Sequence, residues 1–297
     1  MTTTPPAAPE SADAVFEGYR PLLLGLGYRL LGSMWDAEDL VQEAYLRWSA
    51  ADRAEIRVPR AFLVTVVTRL ALDQLRSVRV TREAYTGPWL PEPVASDAFG
   101  PAQTAELRDS LAYATLHLME RLTPPERAVF VLREAFELPY DEVAAIVGVT
   151  SANCRQLYSR AARHLAAGRE RFHPDADAHG ELLRRFLDAA QHGHLTALAD
   201  LLSEDVVVWN DGGGKVRAAL WPIEGRANVL AFLMGLLARY GLGAMRLVGV
   251  NDGSPAVWTE VDGGRQLVAF DIRGDGLIHG IFAVLNPDKL THVAPRS

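Results

Sequence analysis

The chain has 297 residues, of which 49% are hydrophobic and 23% are charged, and its formal net charge is -7. This length exceeds one ordinary domain of roughly 100–200 residues, so we expect two or three domains. The composition excludes a disordered chain, and the negative charge excludes whole-chain basicity, although a local basic face can still bind nucleic acid.

The beginning of the chain and its apolar runs predict a soluble cytoplasmic protein without a membrane partner. Residues 1–13 lack the basic and apolar segments of a signal peptide and are typical of a disordered tail. No uninterrupted apolar run approaches the roughly 18 residues that a membrane span requires. Cys154 is the one cysteine, which excludes an internal disulfide and a cysteine-based zinc site.

The first helical block, residues 14–83, has helical patterns and no strand pattern. We expect Asp36 to cap a helix whose apolar stripe includes Leu40 and Trp48. The polar side of this helix is acidic, and its candidate partner-binding residues are Asp36, Glu38, Asp39, Gln42 and Glu43. Acidic residues in a first turn also stabilise a helix by themselves, so the residues alone leave a structural role and a basic partner equally open.

The next predicted helix begins at Pro59, and with the loop before it forms the most basic region of the chain. Its candidate nucleic-acid-binding residues are Arg57, Arg60, Arg69, Asp73, Arg76 and Arg79. Trp48 and Phe62 border this region, and basic side chains beside aromatic rings suit a single strand whose bases can stack. The alternative is a solvated helix surface on which Asp73 pairs with a neighbouring arginine.

A linker, residues 84–105, separates the first helical block from a second helical block, residues 106–172. The linker is rich in proline and glycine, which stop helices and sheets, so we expect an extended segment. The second block predicts a helix-turn-helix motif. Thr123 and Glu126 form a capping box, Gly148 ends a short middle helix, and the last helix follows a capping residue, Thr150.

The polar face of that last helix carries the candidate DNA-reading residues Arg155, Gln156, Ser159, Arg160 and Arg163. Arginine and glutamine suit the edges of guanine and adenine in the major groove. The alternative is an ordinary amphipathic helix with a solvated basic face. The capped turn and the composition of the face together favour DNA reading.

The C-terminal domain, residues 178–292, changes from helices to strands parted by glycine turns, which predicts an α+β fold. We expect helices at 181–190, 195–202 and 226–240, and strands at 205–209, 244–250, 255–261, 265–272 and 277–285. The candidate pocket residues are Trp209, Asp211, Trp258, Asp271 and His279. The pattern contains neither carboxylates paired at a fixed spacing nor a metal cluster. We therefore expect no catalytic residue, metal or cofactor, while a pocket for an unidentified small-molecule ligand stays open.

Several motifs in the two helical blocks resemble those of bacterial RNA polymerase sigma factors of the extracytoplasmic-function type, which have regions 2 and 4 only. They are DAEDLVQEAY at 36–45, LTPPERAVF at 122–130, YDEVA at 140–144, and the segment 149–165 with NCRQL and SRA. The resemblance covers roughly residues 14–172. It departs at Pro139, where many relatives place a capping Ser or Thr, which puts the strength of that cap in doubt.

The resemblance implies a function for each candidate face. The acidic helix would dock core RNA polymerase at the clamp helices of the largest subunit, and the chain would also contact the polymerase flap. The segment 57–82 would melt and read the promoter −10 element by capturing an unstacked base. The last helix of the second helical block would read the −35 element.

Three further motifs resemble the group of these sigma factors that carries a C-terminal SnoaL-like domain, a cone similar to nuclear transport factor 2. They are YTGPWLPEP at 85–93, DGGGK at 211–215 and NPDKL at 286–290. In that group the extension takes the place of a separate anti-sigma partner and modulates activity from within the chain. The implied autoregulatory contacts are Trp89, Asp211, Gly212, Gly213, Gly214, Lys215, Asn286, Pro287, Asp288, Lys289 and Leu290. We expect the 211–215 loop to face the linker around Trp89, with 286–290 nearby.

The leading hypothesis is an alternative sigma factor with no chemistry of its own, built from two all-α regions and an α+β cone. The second hypothesis is a one-component, ligand-sensing helix-turn-helix regulator that does not dock polymerase. The third is a SnoaL-like enzyme with a helical appendage, whose turnover depends on Asp211 or His279. Charge reversal at Asp39 and Glu43 distinguishes the first hypothesis from the second, because only the first needs the acidic face.

Overall fold

The computed structural model describes residues 11–99, 112–166, 176–241 and 243–293, without the side chains of residues 78–83, 166, 176 and 177. Most of the predicted tail, part of the predicted linker (100–105) and parts of the second helical block (106–111 and 167–172) lie outside these residues. Residues 11–13 belong to a helix start and not to a tail. Ser11 caps that helix, because its hydroxyl accepts a hydrogen bond from the Ala14 N–H at 3.1 Å.

The first helical block consists of α1 (Ala12–Leu31), α2 (Met34–Ala50) and α3 (Pro59–Glu83), with a short 3₁₀ turn at Arg53–Glu55. The prediction that Asp36 caps α2 is wrong. Ser33 stands at the N-cap, and its hydroxyl accepts a hydrogen bond from the Asp36 N–H at 3.2 Å. Because Gly32 ends α1 in a left-handed conformation, the extended Ser33 caps the next helix and Asp36 falls into its first turn.

The second helical block contains α4 (Tyr113–Met119), α5 (Pro124–Glu134), α6 (Tyr140–Val147) and α7 (Ser151–Ala166). The predicted capping box is confirmed, because Glu126 accepts a hydrogen bond from the Thr123 N–H at 3.0 Å. The predicted turn before α7 is also confirmed. Gly148 has a φ of 78°, and Thr150 accepts a hydrogen bond from the Asn153 N–H at 3.2 Å. None of the helices in the described ranges is long and apolar enough to cross a membrane.

The two helical blocks share one continuous hydrophobic core. Leu63 of the first block and Phe130 and Ile146 of the second belong to the same cluster of buried side chains. At the contact between the blocks, Arg127 is 2% exposed, and its Nε donates to the Arg29 carbonyl oxygen at 3.0 Å. A buried guanidinium requires hydrogen-bond acceptors, so this contact ties α5 to α1.

The C-terminal domain follows the predicted order of helices and then strands. Its elements are α8 (Ala176–Gln191), α9 (Leu195–Leu201), β1 (Leu202–Asp211), β2 (Ile223–Glu224), α10 (Arg226–Tyr240), β3 (Met245–Val250), β4 (Ser254–Val261), β5 (Gly264–Ile272) and β6 (Ile278–Val284). They form one six-stranded sheet in the order β2-β1-β6-β5-β4-β3, in which the β1–β6 pair is parallel. The two-residue β2 was not predicted, because two residues are too few to show alternation.

The sheet packs its own helices on one face, here called the inner face, and the rest of the chain on the other, the outer face. Val208 packs with Phe186 of α8 on the inner face. Phe282 packs with Leu90 of the linker and Tyr113 of α4 on the outer face. The linker and α4 therefore complete the burial of the C-terminal domain.

The linker is extended, as predicted, and it is also buried. Leu90 and Val94 are fully buried against the outer face and the helical blocks. Ala95 forms a β-bridge with Val250 of β3, and the Asn251 N–H donates to the Val94 carbonyl oxygen at 2.9 Å. Its prolines prevent a helix, and an apolar sheet face that exists only in the folded chain holds it in place.

Candidate functional site

Asp211 joins the C-terminal domain to the linker. It ends β1, and its side chain is fully buried. Its Oδ1 accepts a hydrogen bond from the Tyr85 hydroxyl at 2.6 Å. Its Oδ2 accepts one from the Leu90 N–H at 2.9 Å and one from Lys289 Nζ at 2.7 Å. Because a buried carboxylate is costly unless it is paired, Lys289 supplies the charge that this position requires.

Lys289 is 9% exposed and is surrounded by the linker. Its Nζ donates to the Leu90 carbonyl oxygen at 2.6 Å and lies 4.0 Å from the centre of the Trp89 ring and 5.0 Å from that of Tyr85. A desolvated ammonium over an aromatic face is an attractive cation–π arrangement. The 286–290 segment and the 85–93 segment are therefore held together through one ammonium group.

The glycine turn after β1 lets two segments approach closely. Gly213 and Gly214 have φ values of 57° and 70°. A Cβ at Gly213 would lie 2.3 Å from Asn286 Nδ2 and 2.8 Å from the Tyr85 hydroxyl, so only glycine fits there. Asn286 Nδ2 donates to the Tyr85 hydroxyl at 3.0 Å. Burial, with the hydrogen bond to Asp211, raises the pKa of Tyr85, which keeps this hydroxyl a donor.

The remaining residues of the two motifs lie around this contact. A Cβ at Gly212 would lie 2.3 Å from the Val216 carbonyl oxygen. Lys215 and Asp288 form an exposed ion pair. Pro287 begins the exposed edge of a 3₁₀ turn, whereas Leu290 is 4% exposed and belongs to the core of the outer face. The structure thus brings together all three segments that the sequence singled out.

Glu92 is a second buried carboxylate at the same interface, and the sequence analysis did not single it out. It is 1% exposed, and its Oε2 accepts a hydrogen bond from the Met34 N–H at 2.7 Å. His292 forms a hydrogen bond with Glu92, lies 3.8 Å from Glu38, and packs edge-on against Trp35 with ring centres 4.7 Å apart. The hydrogen bond to Glu92 raises the pKa of His292. The segment around His292 therefore touches the start of α2.

Tyr28, which bonds to Glu92, and Asn251, which bonds to Tyr28, also gave no signal in the sequence. The Tyr28 hydroxyl donates to the Glu92 carbonyl oxygen, and Asn251 Nδ2 donates to the Tyr28 hydroxyl at 2.7 Å. Burial raises the pKa of Tyr28. The position of Glu92 inside the 85–93 motif was the available hint, whereas Tyr28 and Asn251 lie in unremarkable helical and turn sequence.

His117 of α4 is held against the outer face between aromatic rings. Its ring centre lies 4.8 Å from that of Trp209 and 5.1 Å from that of Phe282. Burial lowers the pKa of His117 to about 4. Neither ring nitrogen has a hydrogen-bond partner among the described residues. The imidazole is therefore neutral at pH 7 and acts as an aromatic contact between the second helical block and the C-terminal domain.

The acidic face of α2 is partly accessible. Its exposed members are Asp39, Gln42 and Glu43. Glu43 forms an ion pair with Arg47 at 3.1 Å, and Asp36 Oδ1 accepts a hydrogen bond from Gln74 Nε2 at 2.9 Å. Glu38 is half-buried beside His292. The face is therefore exposed at Asp39, Gln42 and Glu43, whereas Asp36 and Glu38 lie against other parts of the chain.

The basic region around α3 is exposed at Arg57, Arg60, Arg69, Asp73 and Arg76, and the side chain of Arg79 lies outside the described residues. Asp73 and Arg76 form the ion pair that the structural alternative anticipated, at 3.1 Å. Arg69 donates to the carbonyl oxygens of Ile146 and Ala145, each at 3.2 Å. These are the last carbonyls of α6, which attract a cation. Arg69 therefore bridges the two helical blocks and does not point freely to solvent.

The polar face of α7 is exposed at all five candidate DNA-reading positions. Arg160 forms an ion pair with Glu126 at 3.2 Å, and Arg155 lies over the Tyr140 ring at 5.2 Å. Arg163 Nε donates to the Ser159 carbonyl oxygen at 3.3 Å. These contacts orient the three arginines from within the second helical block.

The candidate pocket residues do not converge on one pocket. Trp209, Asp211 and Trp258 lie on the outer face against the linker and α4. On β1 the side chains alternate, so Val206 and Val208 point to the inner face, and Trp209 and Asp211 point to the outer face. Asp271 pairs with Arg273 at 3.2 Å, and His279 lies 2.9 Å from Asp275 at the end of β6. No group of three metal-ligating side chains occurs within the part of the chain that the structure describes.

Comparisons with known proteins match the whole arrangement. Residues 15–81 match the family model described as Sigma-70 region 2, and residues 113–165 match the one described as Sigma-70, region 4. The ECF RNA polymerase sigma factor SigJ of Mycobacterium tuberculosis is 40% identical over 290 residues, which are 93% of this chain and 92% of that protein. Its crystal structure has a TM-score of 0.78 and 35% identity, and covers 96% of this chain and 100% of that one. The probable sigma factor SigI of the same organism is 32% identical over 252 residues, 77% of this chain and 87% of that one.

Proposed function

Because this chain belongs to the extracytoplasmic-function RNA polymerase sigma factors, we propose that the described arrangement is a closed form, held by the chain's own C-terminal domain. As an alternative sigma factor of this family, the chain directs transcription. In the proposal, α2 binds core RNA polymerase at the clamp helices of its largest subunit, and the chain also contacts the flap. The α3 region binds the −10 element and α7 the −35 element.

The shared core of the two helical blocks is the observation that carries this proposal. The two promoter elements, by their names, are about 25 base pairs apart, or about 85 Å along straight B-DNA. A globule of on the order of 150 residues has a radius of gyration of roughly 15 Å and is only about 40 Å across. Two blocks in one core are therefore too close together to reach both elements at once.

Two sets of contacts support a closing role for the C-terminal domain. Asp211 and Lys289 hold the linker between the helical blocks, so the blocks cannot move apart by the full length of the linker. His292 contacts Trp35 and approaches Glu38 at the start of α2. Polymerase that binds the acidic face of α2 would compete with the His292 segment for the same helix.

We further propose that the C-terminal domain is regulatory and not catalytic. The residues that a SnoaL-like enzyme would use for catalysis make structural contacts instead. Asp211 is neutralised by Lys289 against the linker, and His279 lies between Asp275 and Asp205. Trp209 stacks on Phe282.

A covalent bridge between the helical blocks tests the closed form. Cysteines at Arg69 and Ala145, which are in contact across the blocks, would be joined with a short bis-maleimide and assayed for transcription with core polymerase. We expect at least a tenfold loss of transcript on cross-linking. The matched control bridges cysteines at Glu17 and Arg20, which lie within α1, and should keep its activity. If the protein cross-linked between positions 69 and 145 transcribed as well as the same protein before cross-linking, the proposal would be overturned.

A further inference from the structure

An exposed apolar group lies in the loop that joins β1 to β2, residues 212–222. Val216, Leu220 and Trp221 are 37%, 55% and 80% exposed. Single exposed apolar side chains are ordinary on a protein surface, whereas several close together mark an interaction site. An indole that is four-fifths exposed contributes little to the core of its own domain. The loop is therefore a candidate for contact with another molecule.

The fold holds this loop in a defined shape. The N–H groups of Lys215 and Val216 donate to the Gly212 carbonyl oxygen at 2.9 and 3.1 Å. At the other end of the loop, Ile223 of β2 pairs with Val208 of β1. Both ends are therefore anchored on the same strand. Side chains between them are presented by a rigid scaffold, which is the usual setting of binding residues on loops.

The loop is basic although the chain is acidic. Its charged residues are Lys215 and Arg217, both positive, in a chain whose net charge is -7. Lys215 is paired with Asp288, and Arg217 is exposed. The next acidic residue, Glu224, follows the loop in β2. A cation a few positions from an exposed aromatic ring is typical of surfaces that bind single-stranded nucleic acid, because the ring stacks on a base while the cation contacts a phosphate.

The loop lies against the segment that follows α3. A Cβ at Gly87 would lie 3.7 Å from a methyl carbon of Leu220, and a Cβ at Gly214 would lie 3.3 Å from Thr86. Helix α3 ends at Glu83. Since consecutive Cα atoms are about 3.8 Å apart, Gly87 is at most about 15 Å from the end of this helix. The exposed part of the loop therefore lies beside the end of the most basic region of the chain.

We propose that the 212–222 loop is an additional DNA contact, in which Trp221 stacks on an unpaired base of the −10 element and Arg217 contacts a phosphate of the same strand. The inference rests on the proposed function, which assigns the −10 element to the α3 region. The loop packs on the part of the linker next to α3. Its contact with DNA therefore does not require the two helical blocks to stay together.

The exposed cations of α3 and the loop lie within reach of one strand. Arg76 is exposed seven residues before the end of α3, which is about 10 Å at 1.5 Å per residue. With the further 15 Å or less to Gly87, the path from Arg76 to the loop is at most about 25 Å. A strand that rises about 3.4 Å per nucleotide covers this path in about seven nucleotides. A single strand bound along α3 can thus continue to the loop.

Photocrosslinking identifies the molecule that the loop contacts. The photoreactive residue p-benzoylphenylalanine replaces Trp221 in the full-length chain, which is irradiated in complex with core polymerase and a promoter that the parent protein uses. We expect a cross-link to promoter DNA at or next to the −10 element. The matched control places the same residue at Leu195, which is 49% exposed on α9, and should give no cross-link to DNA. A cross-link from position 221 to a polymerase subunit alone, or to no partner, would overturn the proposal.

Binding to a promoter fragment whose −10 region is already unpaired measures the contribution of each side chain. In complex with core polymerase, Trp221→Ala should bind this fragment about tenfold more weakly than the parent. Arg217→Ala should lower the salt dependence of binding by about one counterion. The matched controls, Leu195→Ala and the exposed Arg246→Ala on β3, should bind as the parent does.

Two outcomes separate this inference from the proposed function. If the parent chain binds the unpaired fragment and Trp221→Ala binds it equally well, the loop contact is wrong and the proposed function stands. If the parent chain itself does not bind the fragment with core polymerase, the proposed function fails, and this inference fails with it. Because Trp221 and Arg217 are exposed, both alanine variants should melt at the temperature of the parent, so that a loss of binding reports the contact and not the fold.

Discussion

Lys289 Nζ lies 2.7 Å from Oδ2 of Asp211, a residue 78 positions earlier in the chain, and both side chains are buried. The pair also binds both polar groups of one linker residue, because Asp211 accepts from the Leu90 N–H and Lys289 donates to the Leu90 carbonyl oxygen. One ion pair thus fastens the segment that connects the two helical blocks. In the proposed closed form, the strength of this ion pair sets how readily the two helical blocks separate.

Asp211→Asn should destabilise the closed form and raise transcription. The substitution leaves the Lys289 ammonium buried without a counter-charge, which costs about 3–5 kcal/mol for a broken buried pair. Denaturant unfolding and transcription with core polymerase measure the two effects. The matched control is Asp288→Asn, which removes the exposed pair with Lys215 and should cost about 1 kcal/mol or less. If Asp211→Asn behaved like the control, the buried ion pair would not be what holds the closed form together.

Charge reversal on α2 should abolish polymerase binding. Asp39→Lys with Glu43→Lys replaces two exposed acidic groups by basic ones, so attraction to a basic partner becomes repulsion. We expect at least a tenfold loss of chain in a pull-down with core polymerase. Glu17→Lys on α1, also an exposed acidic position, should bind normally. Undiminished binding of the double variant would place the polymerase contact elsewhere.

Arg155→Ala and Gln156→Ala should weaken recognition of the −35 element. A well-placed contact to a base edge contributes about 1–3 kcal/mol of discrimination, so each variant should lose roughly tenfold or more in transcription from a promoter that the parent protein uses. Single-base changes in the −35 element should then matter less for the variants than for the parent. Arg184→Ala on α8, another exposed arginine, serves as the control. Equal loss on all −35 sequences would indicate phosphate contacts instead.

The contact of His292 with Glu92 should make stability depend on pH. The pKa of His292 is raised by Glu92, so its contribution is fully present below about 6.5, the ordinary value, and is lost as the pH rises through the raised pKa. His292→Gln should therefore lower the melting temperature more at pH 6 than at pH 8. His164→Gln on the exposed side of α7 is the control. A pH-independent difference would contradict the proposed ion pair.

His117 should have the opposite pH dependence. Burial lowers its pKa to about 4, so between that value and about 6.5 the unfolded chain binds more protons and stability falls with falling pH. The loss should reach about 2–3 kcal/mol at pH 4.5. His117→Phe keeps an aromatic ring between Trp209 and Phe282 and should remove this part of the acid sensitivity. Denaturant unfolding at pH 7 and pH 4.5 compares the two proteins, and identical pH dependence would refute the prediction.

Local pattern was sufficient for the elements and for several of their ends. Helix α10 spans Arg226–Tyr240, the bounds that the sequence predicted. The Thr123 capping box and the Gly148 turn could also be predicted from the sequence, because each depends on a few neighbouring residues. The predicted cap at Asp36 failed because Ser33 competes for the same turn. The motifs at 85–93, 211–215 and 286–290 identified segments that meet in the structure.

The sequence by itself determined the family, the order of the regions and which residues share a face of a helix or strand. Only the tertiary structure decided what each face meets. Alternation placed Trp209 and Asp211 on one side of β1, but it could not say that this side faces the linker and not a pocket. Helical spacing placed Arg69 on the polar side of α3, but it could not show that Arg69 binds a carbonyl oxygen of a helix 76 residues later in the chain. Periodicity is a property of neighbouring residues, whereas partners, burial of the linker and the shared core depend on contacts between segments far apart in the chain.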